Sequence, residues 1–298
     1  MDKFITDKLT KKTDSNYSMH TMMLSAHLTY LEKEILKECL EKYTSQNNLQ
    51  RYDGKDDGYR TKLIYYRGIA KEFGFNEIKL ISCNPRNSEI ENFWLKIKIN
   101  PRKMFHPNDH PYVYIASTED VTKCMKRVKI MLKTIGAPKE MIEIFKLQRI
   151  DFCVNINLNS PDKVKEYMPL LLKGAYSSHF KRRMEYSQTH KRNIPTKDSF
   201  TFNSSNIEFS IYDKHTQLSK EALKYSADEI KEAEGLIRIE LRVSRPIIYQ
   251  KSKKYNLNTV QDFLEHAGEI AQASIPQYIK RAYGTGNFTT LDNAKKII

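Results

Sequence analysis

Strict alternation of apolar and polar residues marks three segments in the second half of the chain, 149–157, 207–213 and 236–243. Successive side chains of a strand point to opposite faces, so each segment is expected to be a strand with one apolar and one polar face. The polar positions are Arg149, Asp151, Cys153 and Asn155 in the first segment, Glu208, Ser210 and Tyr212 in the second, and Arg238, Glu240 and Arg242 in the third.

The same period predicts a strand over 93–99, and further strands are expected at 18–28, 63–66 and 78–83, with a loop over 45–60. Helical spacing of apolar residues predicts helices at 31–43, 118–135, 161–174, 216–234 and 259–283. We therefore expect an α+β fold, a central antiparallel sheet with helices packed on one face and a helical C-terminal extension. The expected division is a mobile basic tail at 1–16, a main domain at 17–245 and the extension at 246–298.

Composition narrows the class of protein. The chain has 298 residues and is 40% hydrophobic, which suits a folded core and argues against intrinsic disorder. No apolar run approaches the roughly 20 residues of a membrane span, and the N-terminus lacks a signal-peptide pattern. The four cysteines occur singly, which favours reduced thiols over a zinc site. These features predict a cytoplasmic protein without a membrane partner.

Charge points to the kind of partner. Fifty Lys and Arg residues against 36 Asp and Glu give a net charge of +14, which favours a polyanion such as DNA or RNA. The segment 179–193 interleaves basic residues with aromatic ones, and it is expected to be an arm that contacts phosphates and unpaired bases. Its predicted DNA contacts are Lys181, Arg182, Arg183, Lys191 and Arg192. A solvated loop without a partner is the alternative.

The three alternating strands also suggest a chemistry. If they are neighbours in one sheet, Asp151, Glu240 and Tyr212 converge on one surface. Two carboxylates can hold Mg²⁺ or Mn²⁺, and a nearby tyrosine can act as a nucleophile. The ion, Arg238, Arg242 or Lys214 would favour the phenolate. The alternative is an ordinary cross-strand ion pair and a tyrosine that only packs.

Four ordered blocks, 95–104, 149–157, 200–214 and 236–245, resemble the rolling-circle replication initiators of small Gram-positive plasmids, the Rep_trans group. They are also similar to relaxases of some conjugative elements. The resemblance implies a nicking and closing enzyme whose tyrosine, here Tyr212, attacks the origin. It implies that Asp151 and Glu240 bind the divalent ion. Asn155 stands where family members often have a second acid, and His20 is a candidate third ligand.

The resemblance further implies origin DNA as the substrate, a host helicase as a partner and a homodimer. Lys280 and Arg281 become candidate duplex contacts, with packing of the C-terminal extension as the alternative, and Arg242 is a further candidate DNA contact. The sequence thus predicts a replication initiator that leaves a 5′-phosphotyrosine and a 3′-OH primer. Two alternatives stay open, a conjugative relaxase with the same chemistry and a DNA-binding regulator without catalysis.

Overall fold

The computed structural model describes residues 17–56, 60–84, 91–173, 180–189 and 192–283. The predicted tail at 1–16 and the last 15 residues of the extension lie outside these ranges. The strands are β1 (Ser18–Leu28), β2 (Tyr52–Asp56), β3 (Arg60–Tyr65), β4 (Glu77–Asn84), β5 (Asn92–Ile99), β6 (Phe145–Asn157), β7 (Lys181–Thr189), β8 (Arg192–Ser204), β9 (Ile207–Asp213) and β10 (Leu236–Ser244). The helices are α1 (Tyr30–Gln46), α2 (Arg67–Glu72), α3 (Pro101–Phe105), α4 (Thr118–Thr134), α5 (Pro161–Lys173), α6 (Lys214–Ser219), α7 (Ala227–Glu232), α8 (Arg245–Tyr255), α9 (Val260–Glu265) and α10 (Ala267–Tyr283).

All ten strands form one antiparallel sheet in the order β2-β3-β4-β5-β1-β6-β10-β9-β8-β7. The predicted α+β class with an antiparallel sheet is confirmed. Strands β6, β10 and β9 are neighbours in the sheet, so their polar residues can lie side by side on one face. Strand β1, near the N-terminus, lies in the middle of the sheet between β5 and β6.

One face of the sheet is covered by the long helices. Apolar residues of β1, β5, β6, β8, β9 and β10 pack there with α1, α4, α5, α8, α9 and α10 in one continuous core. The helices at 245–283 belong to this core, since Phe263, Ile270 and Tyr278 are among its buried members. None of the helices in the described ranges has the length and apolar character needed to cross a bilayer.

A second, small cluster lies on the opposite face. It joins Val113 to Leu218 of α6, Ala233 beyond α7 and Leu236 of β10. Because Leu236 alternates with the residues of the apolar face of β10, this cluster covers the end of the polar face. The short helices α6 and α7 and the segment before α4 therefore form one wall beside the polar strand positions.

Two local expectations were wrong. The segment 45–60, expected to be a loop, contains β2. Most of the predicted basic arm is β7, which pairs with β8 at the edge of the sheet, and its contact with DNA stays a prediction. Neither strand has the apolar alternation that would reveal it. The helix expected at 216–234 is divided into α6 and α7, because Ser226 forms a capping box with Glu229 that starts a new helix.

A glycine sets the start of β10. Gly235 has φ of 77°, and its carbonyl accepts a hydrogen bond from Leu158 at 2.9 Å. A Cβ atom at this position would lie 3.0 Å from the backbone nitrogen of Ser160. Gly136 has the same φ, but a Cβ there would meet nothing within 4 Å.

We predict that Gly235→Ala lowers the free energy of unfolding by about 2 to 3 kcal/mol, and Gly136→Ala by about 1 kcal/mol. In both variants the alanine must adopt a left-handed backbone conformation, which costs free energy. Only the Cβ atom of Gly235→Ala also comes close to backbone atoms. Urea denaturation of the two variants measures the difference. Equal losses would show that the close approach at Gly235 is unimportant.

Candidate active site

The candidate site lies on the polar face of β6, β10 and β9. Directly opposite residues of antiparallel strands share a face, so the pairing gives three rows of polar side chains. Arg238 lies between Asn155 and Tyr212, Glu240 between Cys153 and Ser210, and Arg242 between Asp151 and Glu208. The structure thus places Asp151, Glu240 and Tyr212 on one face, as the sequence predicts.

Tyr212 and Glu240 are in direct contact. The Tyr212 hydroxyl donates a hydrogen bond to Oε1 of Glu240 at 2.5 Å, and Nδ1 of His20 lies 3.0 Å from the same oxygen. Only 8% of Tyr212 is exposed. A phenol, a carboxylate and an imidazole therefore form one chain of polar contacts in a recess of the sheet.

A β-bulge brings His20 into this chain of contacts. The pairing of β1 with β6 shifts between Met19 and Thr21, so His20 is the extra residue. Thr21 pairs with Asp151 and donates a hydrogen bond to its Oδ2. Because a bulge re-aims a side chain, the consecutive residues His20 and Thr21 contact two acids of the same face.

The electrostatics keep the proton on the tyrosine. Burial raises the pKa of Tyr212 well above its ordinary value, and the charge of Glu240 adds to this effect. Burial acts to raise the pKa of Glu240 too, but His20, Arg238 and the tyrosine hydrogen bond outweigh it and lower that pKa. The free protein therefore holds a neutral phenol beside an ionised carboxylate.

Lys214 lies beside the tyrosine at the start of α6. Its Nζ is 5.6 Å from the centre of the Tyr212 ring and donates a hydrogen bond to Gln217 Oε1 at 2.6 Å. Asp213 caps the helix by accepting from the Thr216 amide. Burial, and next the charge of Arg238, lower the pKa of Lys214 to about 6. This lysine is thus largely neutral at pH 7.

Arg238 is fully buried and fixes the neighbouring wall. Its Nε donates to Oδ1 of Asn155 at 2.7 Å, and its NH2 group donates to the carbonyl of Val113. Asn155 also donates to that carbonyl, at 2.8 Å. The NH1 group of Arg238 has no hydrogen-bond partner within the described part of the chain. The residue opposite Tyr212 thus has a buried N–H donor that no described residue accepts.

Asp151 is held by two arginines. Arg149 contacts its Oδ2 at 3.0 Å, Arg242 contacts its Oδ1 at 3.1 Å, and Thr21 donates to Oδ2 as well. Arg242 also pairs with Glu208 on β9. Both oxygens of Asp151 are therefore occupied by cross-strand partners, which is the arrangement that the ion-pair alternative predicts.

The predicted four-ligand metal set fits only in part. Among the residues described, no group of three or more His, Cys, Asp or Glu side chains is placed to hold a metal ion. Asp151 is occupied by Arg149 and Arg242, and the Asn155 oxygen by Arg238. Glu240 and His20 lie side by side. Mg²⁺ is often held by one carboxylate and several waters, which Glu240 can supply, and the nitrogen of His20 suits a transition-metal ion such as Mn²⁺ better than Mg²⁺.

The predicted DNA contacts are dispersed. Lys181 is exposed on the edge strand β7, while Lys191 and the side chains of Arg182, Arg183 and Arg192 lie outside the described parts. Lys280 and Arg281 are exposed on α10, and Arg281 lies over the Tyr278 ring at 5.4 Å. Because α10 packs on the apolar face, these two residues do not adjoin Tyr212.

Sequence analysis missed four contributors to the site, namely Thr21, Arg149, Gln217 and the Val113 carbonyl. Gln217 could have been found, since it lies three residues after Lys214 on the same side of a helix. Arg149 lies on the predicted polar face of β6, two residues before Asp151. The bulge beside Thr21 and the main-chain contact of Val113 have no sequence signal.

No family model matches the chain, and no curated protein matches it either. The solved structures similar to it include the rolling circle replication initiator protein from Geobacillus stearothermophilus, at 12% identity over 94% of this chain and 96% of that one, with a TM-score of 0.37. Another is the di-domain ARO/CYC BexL from the BE-7585A biosynthetic pathway, at 7% identity over 93% and 98%, with a TM-score of 0.24. Such scores are too low to establish a shared fold, so the functional conclusion depends on the site itself.

We predict that Lys214→Met stabilises the protein most at acidic pH. Between about pH 6 and 10.5 the unfolded chain binds a proton at this position and the folded chain does not, so wild-type stability increases with pH across that range. Methionine removes this dependence. The gain in unfolding free energy over wild type should therefore be largest near pH 6 and decrease toward pH 10.

Urea denaturation across this pH range measures the effect, with Lys129→Met on the exposed face of α4 as the matched control. The control should differ from wild type by the same amount at every pH. A difference for Lys214→Met that does not change with pH would contradict the lowered pKa of this lysine.

Proposed function

We propose that this protein nicks and rejoins one strand of DNA through Tyr212 and that it initiates rolling-circle replication of a plasmid or mobile element. The observation that supports this most is the contact of the Tyr212 hydroxyl with Glu240, beside His20, Lys214 and Arg238. The Tyr212 hydroxyl can attack a phosphodiester when Glu240 acts as the base and Arg238 and Lys214 bind the phosphate.

The proposed step is a transesterification. The Oη atom of Tyr212 attacks phosphorus, the bond between phosphorus and the 3′-oxygen breaks, and the 5′-phosphate stays on the tyrosine. Glu240 accepts the phenol proton, and the leaving 3′-oxygen takes a proton from water. Attack of the 3′-OH on the phosphotyrosine reverses the step, so no nucleotide cofactor is consumed.

Arg238 and Lys214 are suited to the phosphate. Arg238 lies opposite Tyr212 on β10, and its NH1 group has no hydrogen-bond partner within the described residues. Nζ of Lys214 lies 5.6 Å from the centre of the Tyr212 ring. Charge that develops on the phosphoryl oxygens would draw a hydrogen bond from Arg238, which Asn155 and Val113 hold in place. The bound phosphate would also favour protonation of Lys214.

A divalent cation, Mg²⁺ or Mn²⁺, would be held by Glu240 and His20. When bound, it would neutralise the Glu240 charge that raises the Tyr212 pKa and would polarise the phosphodiester. Asp151 and Asn155, which the sequence suggested as ligands, act in this proposal as positioning residues. Asp151 orients Arg149 and Arg242, and Asn155 orients Arg238.

The partners follow from the proposed reaction. The substrate is origin DNA, which must be unpaired at the cleavage site to reach a recessed tyrosine. A host helicase, a homodimer and a cytoplasmic location stay predictions from the resemblance and the composition. A conjugative relaxase would use the same site and chemistry, and its target would be a transfer origin.

The ion pairs of Asp151 favour a second candidate from a different class, a DNA-binding regulator. In that case the polar rows of β6, β10 and β9 only stabilise the sheet, and Tyr212 packs beside Glu240. Such a protein would bind DNA without breaking a phosphodiester.

We predict that the protein relaxes supercoiled DNA containing its origin and that Tyr212→Phe reduces the nicking rate by more than about 1,000-fold, since the attacking oxygen is absent. Glu240→Gln should reduce it by roughly 100- to 10,000-fold through loss of the base. Gel analysis of nicked circles measures both. Tyr249→Phe, at an exposed position on α8, serves as the tyrosine control. Binding without nicked circles for wild type, in Mg²⁺ or Mn²⁺, would favour the regulator.

We predict that Mn²⁺ binding depends on Glu240 and His20 and not on Asp151. Isothermal titration should show at least about a tenfold loss of affinity for Glu240→Gln and for His20→Ala, since each removes one ligand. Asp151→Asn should keep the affinity and lower thermal stability, because it leaves Arg149 without its carboxylate and leaves Arg242 with Glu208 alone. If Asp151→Asn no longer bound Mn²⁺, Asp151 would have to be counted as a metal ligand.

A further inference from the structure

A second polar surface continues from the candidate site across the same face of the sheet. Strand pairing places Lys98 opposite Met23, Lys96 opposite Ser25 and Trp94 opposite His27. Met23 pairs in turn with Arg149, which contacts Asp151. The face that holds Tyr212 on β9 thus extends over β6 and β1 to β5 and β4. We call Lys79, Trp94, Lys96 and Lys98 the basic strand face.

The lysines of the basic strand face are arranged unfavourably for the protein alone. Lys79 on β4 lies directly opposite Lys96 on β5, and like charges in that position are destabilising. Glu77 pairs with Lys79 at 2.8 Å and lies directly opposite Lys98, so one acid faces three lysines. Lys96 has no ion-pair partner in the ranges that the structure describes. Burial, and next the charge of Lys79, lower the pKa of Lys96. An anionic ligand would relieve this repulsion.

Aromatic rings accompany these lysines. The rings of Trp94 and His27 meet edge to face with centres 5.5 Å apart, and Trp94 is partly exposed. On β3, Tyr65 lies beneath Lys79 at 5.6 Å and stacks on Tyr52 at 4.5 Å. Lysines for phosphates next to aromatic rings for bases are the combination that binds unpaired nucleic acid.

We propose that the basic strand face binds the single-stranded DNA that leads to Tyr212, with phosphates on Lys96 and Lys98 and a base on Trp94. The proposal rests on the proposed function only in linking this surface to the tyrosine. Four strand spacings separate β5 from β9, about 19 Å across the sheet. Single-strand sites commonly cover 4 to 16 nucleotides, so one strand can contact both places.

A single strand fits this surface better than a duplex. In a duplex the base faces are stacked inside and cannot reach Trp94, whereas an unpaired strand presents both bases and phosphates. The Tyr212 hydroxyl is recessed, so the DNA must be unpaired there as well. Between the two places, the charges of Arg149 and Arg242 are balanced by Asp151 and Glu208, so the excess positive charge lies at the lysines.

Trp94 is the only tryptophan of the chain, so its fluorescence reports directly on this surface. We expect that oligothymidylate of about 16 nucleotides quenches Trp94 emission in Tyr212→Phe, which binds without cleaving. The double variant Lys96→Gln/Lys98→Gln should bind at least about fivefold more weakly at low salt. Its slope of log affinity against log salt should be lower by about 1.4, because two phosphate contacts are lost.

The matched control is Lys42→Gln/Lys133→Gln, which removes the same charge from exposed positions on α1 and α4. It should leave the quenching and the salt slope unchanged. Circular dichroism establishes that each variant is folded, and the basic-face variant should melt no lower than the parent, since the opposed lysine charges are relieved.

Three results would overturn the proposal, namely no quenching by the single strand, equal weakening in the control, and equal or tighter binding of a duplex or of oligouridylate of the same length. The failure of the proposed function is a separate result. If wild type does not nick DNA but the single strand still quenches Trp94 through Lys96 and Lys98, the binding surface is supported and Tyr212 is not its reaction centre.

Discussion

The carboxylate of Glu240 is the charge on which the polar face depends. It is largely buried, and a buried carboxylate is stable only when hydrogen bonds and opposite charges replace water. The Tyr212 hydroxyl and His20 supply the contacts, and Arg238 supplies a neighbouring charge. Arg238 is itself buried, so it needs Asn155 and the Val113 carbonyl. Removing one of these residues leaves another charge or donor without a partner, so the group of contacts around Glu240 and Arg238 behaves as one unit.

This unit explains why the free protein holds its tyrosine in the neutral form. The same carboxylate that would accept the phenol proton raises the pKa of the phenol while it is ionised. A cation beside His20 would weaken that effect. In the reaction proposed above, Tyr212 would therefore stay inactive until substrate and cation bind.

Much of the fold and part of the site could be predicted from the sequence because β-strands have a period of two. The period assigned Asp151, Tyr212 and Glu240 to polar faces, and the adjacency of β6, β10 and β9 brought those faces together. The partners of Asp151 could not be chosen in advance, since a carboxylate near an arginine of its own strand and one of the neighbouring strand suits a metal ion or an ion pair equally well. The place of His20 beside Glu240 depends on a bulge, which no residue pattern signals. Strand β7 was missed because KRRMEYSQT contains no apolar alternation.

The acceptor that holds Arg238 and Asn155 is a main-chain carbonyl, that of Val113. Evolution can therefore exchange the valine for any side chain that fills the space beside Leu218, Ala233 and Leu236 without touching this contact. Two distant relatives could keep the same buried arginine in place while sharing no identity at the residue that anchors it. Comparison of three-dimensional backbones, rather than of aligned letters, is thus the way to recognise this anchoring segment in other chains.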